Sequence, residues 1–264
     1  MRALALHPDV LLVTSAVLAV NCVIVRAGEG ERAESFMIDS PVLPEELESL
    51  PALLEQARFP TPSGLIATHG DWDHLLGRLA FPELALGCAE STCSRLAAYP
   101  GDAHRALRAF DEDLYIERPG RLALASLQAL PVPGRLEIAE LELELHEARG
   151  HTPDGMALLV PWAGVLVVGD YLSSIEIPTI TANATIEEYL ATLERLRALA
   201  AGAAHVVPGH GPFSDGATAV RVLEEDVAYL HALREHGRQA PLPPWRRTPE
   251  QKRLHEQNAV VLEA

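Results

Sequence analysis

Residues 66–77 read IATHGDWDHLLG and place two histidines and two aspartates within the six positions from His69 to His74. The apolar run "GLIA" ahead of them predicts a short buried strand that delivers His69 at its end. "DHLLGRLAF" after them predicts a helix over residues 73–81, with Asp73 and His74 in its first turn. Imidazole and carboxylate are side chains that zinc, iron and manganese accept, so four of them beside a strand end raise the question of what they hold.

The same pattern recurs downstream. "GHTPDG" carries His151, "VVGDY" carries Asp170 and "VPGHGP" carries His210, each just past an apolar run. Glycines at 70, 150, 169, 209 and 211 allow sharp turns at these places. Loops at strand ends are where a rigid scaffold presents chemistry. His69, Asp71, Asp73, His74, His151, Asp170 and His210 make seven candidates, a number that suits two ions better than one at three or four ligands each.

Strands and helices alternate in two rounds along the chain. The first holds "VLLVT", "NCVIVRAG" and "SFMIDSPV", the last ending at Asp39, then a helix over "PEELESLPALLEQA". The second holds "IAELELELHEA", with its period of two, and the strand pair "MALLVPWAGVLVVGD". A helix capped by Thr185 and Glu188, the strand "HVV" and a long helix closed by Gly237 complete it. Residues 94–135 are patterned more weakly and read as a pocket-shaping insert. After residues 1–238, the proline-rich "QAPLPPW" separates a tail, 239–264, with a short helix.

The motifs "THGDWDH", "GHTPDG", "GDY" and "PGHGP", in that order, resemble the metallo-β-lactamase-fold hydrolases, and "NCVIV" and "FMIDS" match that fold's opening strands. The resemblance covers roughly residues 20–235. It implies an α/β fold, a four-layer αβ/βα sandwich with its site at one edge. It also implies two divalent transition-metal ions, zinc first, with iron or manganese as alternatives. His69, position 71 and His151 would hold one ion; Asp73, His74 and His210 would hold the other; Asp170 would bridge. Asp73 would also orient an attacking hydroxide, and Asp39 would steady the ligand loop.

Asp71 departs from the family pattern, His-x-His-x-Asp-His. With two divalent ions and one bridging hydroxide, two aspartates leave a net charge of +1, whereas a third leaves zero. That predicts weaker Lewis acids, and more oxygen in the first ligand set tilts selectivity towards iron or manganese. Alternatively, Asp71 points away, bonds the loop and leaves one ion. The implied activity is hydrolysis of an ester, thioester, lactone or phosphodiester in a small-molecule substrate. Flavodiiron reductases share the fold and carry a carboxylate at this position, so a di-iron redox protein is the alternative. Tyr171, beside Asp170, is the one candidate for protonating a leaving group.

Composition narrows the partners. A net charge of −16 argues against a general nucleic-acid surface, and the one basic cluster, "WRRTPEQKR", reads as a solvated helix. The apolar stretch from Val10 to Val25 is shorter than a spanning helix and holds Thr14, Ser15 and Asn21, so it reads as two strands, with no membrane partner. With no targeting segment, and with Cys22, Cys88 and Cys93 read as inert thiols, the expected location is the cytoplasm. Trp72 is expected to pack beneath the ligand loop, His146 and His205 to be structural, and His104, His231 and His236 to lie on helix surfaces.

Overall fold

The computed structural model describes residues 1–263. Its strands are β1 (Arg2–His7), β2 (Val10–Thr14), β3 (Asn21–Ala27), β4 (Glu34–Ile38), β5 (Gly64–Ile66), β6 (Leu86–Ala89), β7 (Leu127–Leu130), β8 (Gly134–Ile138), β9 (Leu141–Glu147), β10 (Met156–Val160), β11 (Val165–Val167) and β12 (His205–Val207). Its α-helices are α1 (Pro44–Ala57), α2 (Gly77–Ala80), α3 (Glu90–Ala98), α4 (Asp102–Leu114), α5 (Ile186–Gly202), α6 (Gly216–His236) and α7 (Pro249–Glu263).

The strands form two sheets, one running β1 to β7 in sequence order, the other ordered β12-β11-β10-β9-β8. Alternation along the strands explains how the sheets stack. In β2, Val10 and Leu12 face the second sheet, while Leu11 and Val13 face the helices. In β3, Val23 and Val25 take the first side, and Cys22 and Ile24 the second. Three apolar cores result. One lies between the sheets, one packs α1 to α4 against the first sheet, and one packs α5 and α6 against the second. Three buried interfaces make four layers, αβ/βα, as the resemblance implied.

The stretch from Val10 to Val25 is the antiparallel pair β2–β3, with Val13 opposite Cys22. Among the described residues, no helix is long and apolar enough to cross a membrane. Strand β1 was not foreseen; it pairs with β2 at the sheet's edge. Part of the supposed insert is a strand of the sheet itself, β7, beside β6.

The helix expected over 73–81 is broken. Residues 72–74 form a 3-10 turn, and only Gly77–Ala80 is α-helical. The Leu76 N–H that an α-helix would aim at the Trp72 carbonyl is taken by Ser40 Oγ at 3.0 Å.

The tail also differs from expectation. In α7, Gln251, His255, Asn258 and Ala259 are buried. Arg246, in the cluster read as solvated, is 1% exposed and meets Asp226 at 2.5 Å. A guanidinium is tolerated there because carboxylate and carbonyl oxygens surround it.

Candidate metal centre

Parallel pairing puts the ends of β4, β5, β11 and β12 at one edge of the sandwich. Asp39 follows β4, His69 follows β5, Asp170 follows β11 and His210 follows β12. His151 arrives from the turn between β9 and β10.

Each imidazole is held by its Nδ1. His74 Nδ1 donates to Asp39 at 2.9 Å, His151 Nδ1 to the Thr179 carbonyl at 2.9 Å and His210 Nδ1 to the Leu18 carbonyl at 2.9 Å. His69 Nδ1 lies 3.1 Å from Thr68 Oγ1, and that hydroxyl gives its one proton to Asp39 at 2.9 Å. Thr68 must therefore accept from His69. All four rings present Nε2 to a common centre, where imidazole offers a lone pair once deprotonated.

Around those nitrogens stand three carboxylates. Asp170 Oδ2 is 3.2 Å from His151 Nε2, 3.4 Å from His210 Nε2 and 3.7 Å from His69 Nε2, and Asp170 Oδ1 is 3.3 Å from His74 Nε2. Asp71 Oδ2 lies 3.6 Å from His151 Nε2 and 3.7 Å from His69 Nε2. Asp73 Oδ2 lies 3.3 Å from His210 Nε2 and 3.9 Å from His74 Nε2. The seven residues thus gather into two halves, His69–Asp71–His151 and Asp73–His74–His210, with Asp170 between them. Within each half the potential ligand atoms lie within 4.8 Å of one another.

This donor set fits divalent ions. His69, His74 and His151 Nε2 and Asp170 Oδ1 are buried without any hydrogen-bond partner in the protein, an arrangement that costs free energy unless something fills it. Burial alone would strip protons from the histidines, yet the facing aspartates raise His74, His210 and His151, the last to about 10. His69, buried and flanked by two other imidazoles, is lowered instead. Burial would raise Asp71, Asp73 and Asp170, but the surrounding imidazoles hold all three below the usual carboxylate range.

Outside this centre, Trp72 stacks on Phe110 with ring centroids 4.6 Å apart, and His205 meets Phe213 edge-on. His104 bonds the Leu122 carbonyl through Nε2. Cys88 and Cys93 place their sulfurs 3.2 Å apart. Tyr171 does not reach the centre: it is buried, and its hydroxyl accepts the His151 N–H at 3.0 Å. It is a prop for the His151 turn, not a proton donor.

Residues not foreseen complete the setting. Asn21 donates to the Pro208 and Gly211 carbonyls at 2.8 and 2.7 Å and so pins the His210 loop to β3. A Cβ at Gly209 would overlap Asp170 Oδ1, so only glycine lets this loop approach. Arg95, on α3, bridges Asp71 and Asp154. Asn21 and Asp154 stand inside quoted motifs, whereas nothing in the sequence marks Arg95.

A sequence profile of the metallo-beta-lactamase superfamily matches residues 16–210. The chain belongs to this superfamily. Among solved structures, the superfamily fold recurs in a metallo-beta-lactamase family protein, TTHA1429, from Thermus thermophilus, which is 20% identical with a TM-score of 0.71 over 97% of this chain and 92% of that one. It recurs in a beta-lactamase domain protein from Burkholderia ambifaria, 18% identical with a TM-score of 0.67 over 98% and 87%. It is found again in TTHA1623, solved in a di-iron-bound form, 24% identical with a TM-score of 0.57 over 80% and 97%. No curated protein matches in sequence. Metallo-beta-lactamase superfamily proteins are generally metal-dependent hydrolases, and this chain has His/Asp clusters that could hold metal ions.

Proposed function

We propose that this protein is a binuclear metal-dependent hydrolase of a neutral ester, thioester or lactone. The carrying observation is the set of Nε2 atoms without hydrogen-bond partners around Asp170, which cations among them would satisfy. His69, Asp71 and His151 would hold one ion, Asp73, His74 and His210 the other, and Asp170 both. Bound divalent ions would supply an activated water and a Lewis acid for the developing oxyanion. Asp39 orients His74, and the Leu18 and Thr179 carbonyls orient His210 and His151, so the rings need no rearrangement when charge develops. Asp73 is the carboxylate beside His210 that would align the attacking water.

The substrate class follows from the cavity of about 220 Å³ that opens onto Asp73, His151, Asp170 and His210. Glu176 and Glu250 line it with Leu18, Ile177 and Leu254, and neither lysine nor arginine does. Acidic walls disfavour a phosphodiester or a polyanionic thioester. Burial raises Glu176 above the ordinary glutamate range, and it stands 4.0 Å from His210 Nδ1. It is our candidate for protonating the leaving group, in place of Tyr171. The second reading, a di-iron redox protein, is favoured by the carboxylate Asp71 Oδ2 in the first half-site and by the di-iron-bound form of TTHA1623.

The test is elemental analysis and a visible spectrum of the purified protein, then turnover of nitrophenyl esters, alkyl esters, thioesters, lactones and a phosphodiester. Hydrolase function predicts two ions per chain and turnover of neutral substrates. Glu176→Gln should slow alkyl esters by on the order of a hundredfold but spare nitrophenyl esters, whose leaving group needs no proton. One ion or fewer after reconstitution sinks the binuclear reading. Iron with a visible absorption band and no turnover favours the redox reading.

A further inference from the structure

Asp71 uses its two oxygens differently. Oδ2 faces His69 and His151 at 3.6–3.7 Å, while Oδ1 accepts a 2.7 Å bond from Arg95 Nη2. Arg95 is itself oriented: Nη1 donates to Asp154 Oδ1 at 2.8 Å, and Asp154, 1% exposed, accepts the Gly70 N–H on its other oxygen at 3.0 Å. The sequence Gly70–Asp154–Arg95–Asp71 therefore closes a ring around the ligand loop, and the guanidinium has both of its terminal nitrogens engaged.

We propose that Arg95 is a positioning residue for the metal centre: by holding Asp71 Oδ1 it restricts this carboxylate to one-oxygen ligation, so that Asp71 offers a single donor atom, as an imidazole would. A lone carboxylate can chelate with both oxygens, as hard ions prefer, whereas a carboxylate whose second oxygen is capped offers a single donor, as imidazole does. Arginine suits the task because its planar fork reaches Asp71 and Asp154 together. The proposal rests on the ligand reading above but not on hydrolysis.

Metal identity tests it. Wild type, Arg95→Met, Arg95→Lys, Asp71→His and the double variant Asp71→His/Arg95→Met are stripped of metal and equilibrated with Zn(II) and excess Mn(II). The retained ratio is then measured. Both ions carry the same charge, so loss of the guanidinium charge alone shifts both alike and cancels in the ratio. The ratio reports how residue 71 coordinates. Arg95→Met should move it from zinc towards manganese by on the order of tenfold, with Arg95→Lys between, because an ammonium caps only one carboxylate. In the Asp71→His background the same Arg95→Met change should leave the ratio unaltered. An equal shift in both backgrounds would mean that Arg95 acts through α3 and Asp154 alone, and would overturn the proposal. So would an unchanged ratio in Arg95→Met. Should Arg95→Met fail to fold, Arg95→Lys in the two backgrounds makes the same comparison. A wild type that retains neither ion removes the ligand reading together with this one.

Discussion

At the residue scale the centre is built from pairs, a donor to the cavity and a partner that aims it. His151 illustrates the consequence. Its Nε2 is orphaned and its Nδ1 is spent on the Thr179 carbonyl, so the side chain contributes little to the apolar cores. His151→Ala should then leave the fold intact while lowering activity on any responsive substrate by at least ~100-fold, the upper end of what losing a metal's support costs. Circular dichroism paired with kinetics checks both halves. Near-normal turnover would remove His151 from the ligand set. Asp39 is unlike the others in its backbone, with φ of +57°, which an aspartate adopts only at some strain. That strain is offset where one carboxylate serves Thr68 N, Thr68 Oγ1 and His74 Nδ1 together.

At the element scale the C-terminal segment matters more than its composition suggests. Arg246 donates to the Ser173 and Glu176 carbonyls at 3.2 and 2.8 Å, Gln251 accepts from Ile177 N at 2.7 Å, and Asn258 accepts from Ile180 N at 2.9 Å. Residues 173–180 thus owe their shape to α7 and the turn before it, and they carry Glu176 and the carbonyl that orients His151. Arg246→Met would leave Asp226 buried and unpaired. Removing one partner of a buried pair costs about 3–5 kcal/mol. Burial already raises Asp226 to about 7 beside the guanidinium, so protonation offsets some of this and places the loss near the low end. Denaturant melts should show that loss, and turnover should fall with it. Adding Asp226→Leu should restore stability but not turnover, because the Ser173 and Glu176 carbonyls still lack their donor.

At the scale of the whole molecule, the centre ties stability to pH in opposite senses with and without metal. In the metal-free protein His74, His151 and His210 are raised, His151 to about 10, whereas unfolded histidines titrate near ~6.5. Their stabilisation is complete below about pH 6.5 and is lost as pH rises towards 10. Asp71, Asp73 and Asp170 are lowered, so theirs is present above about pH 4 and is lost in acid. His69, lowered by burial, works against the other histidines as pH falls through about 6.5. The metal-free protein should therefore melt highest between about pH 4 and 6.5 and lose stability towards pH 9. The metal-loaded protein should gain between pH 6 and 8, because ions displace protons from Nε2. Calorimetry of both forms across this range checks the prediction, and parallel slopes would contradict it.

Short-range chemistry in the sequence determined strands β2 to β5 and β9 to β12, the helices over 44–57, 186–202 and 216–236, and the loops that carry the seven acidic and imidazole side chains. Periodicity and strand-end glycines are local properties, and a linear text carries them. What only the tertiary structure decided depends on groups far apart in the chain. Ser40 stops the helix expected after Asp73 by taking one amide, and Asp226 turns Arg246 from a surface residue into a buried strut. The Asp71 side chain turns one oxygen towards the imidazoles and gives the other to Arg95, 24 residues away. No spacing rule reaches across that distance, because the contact exists only once α3 packs beside the ligand loop.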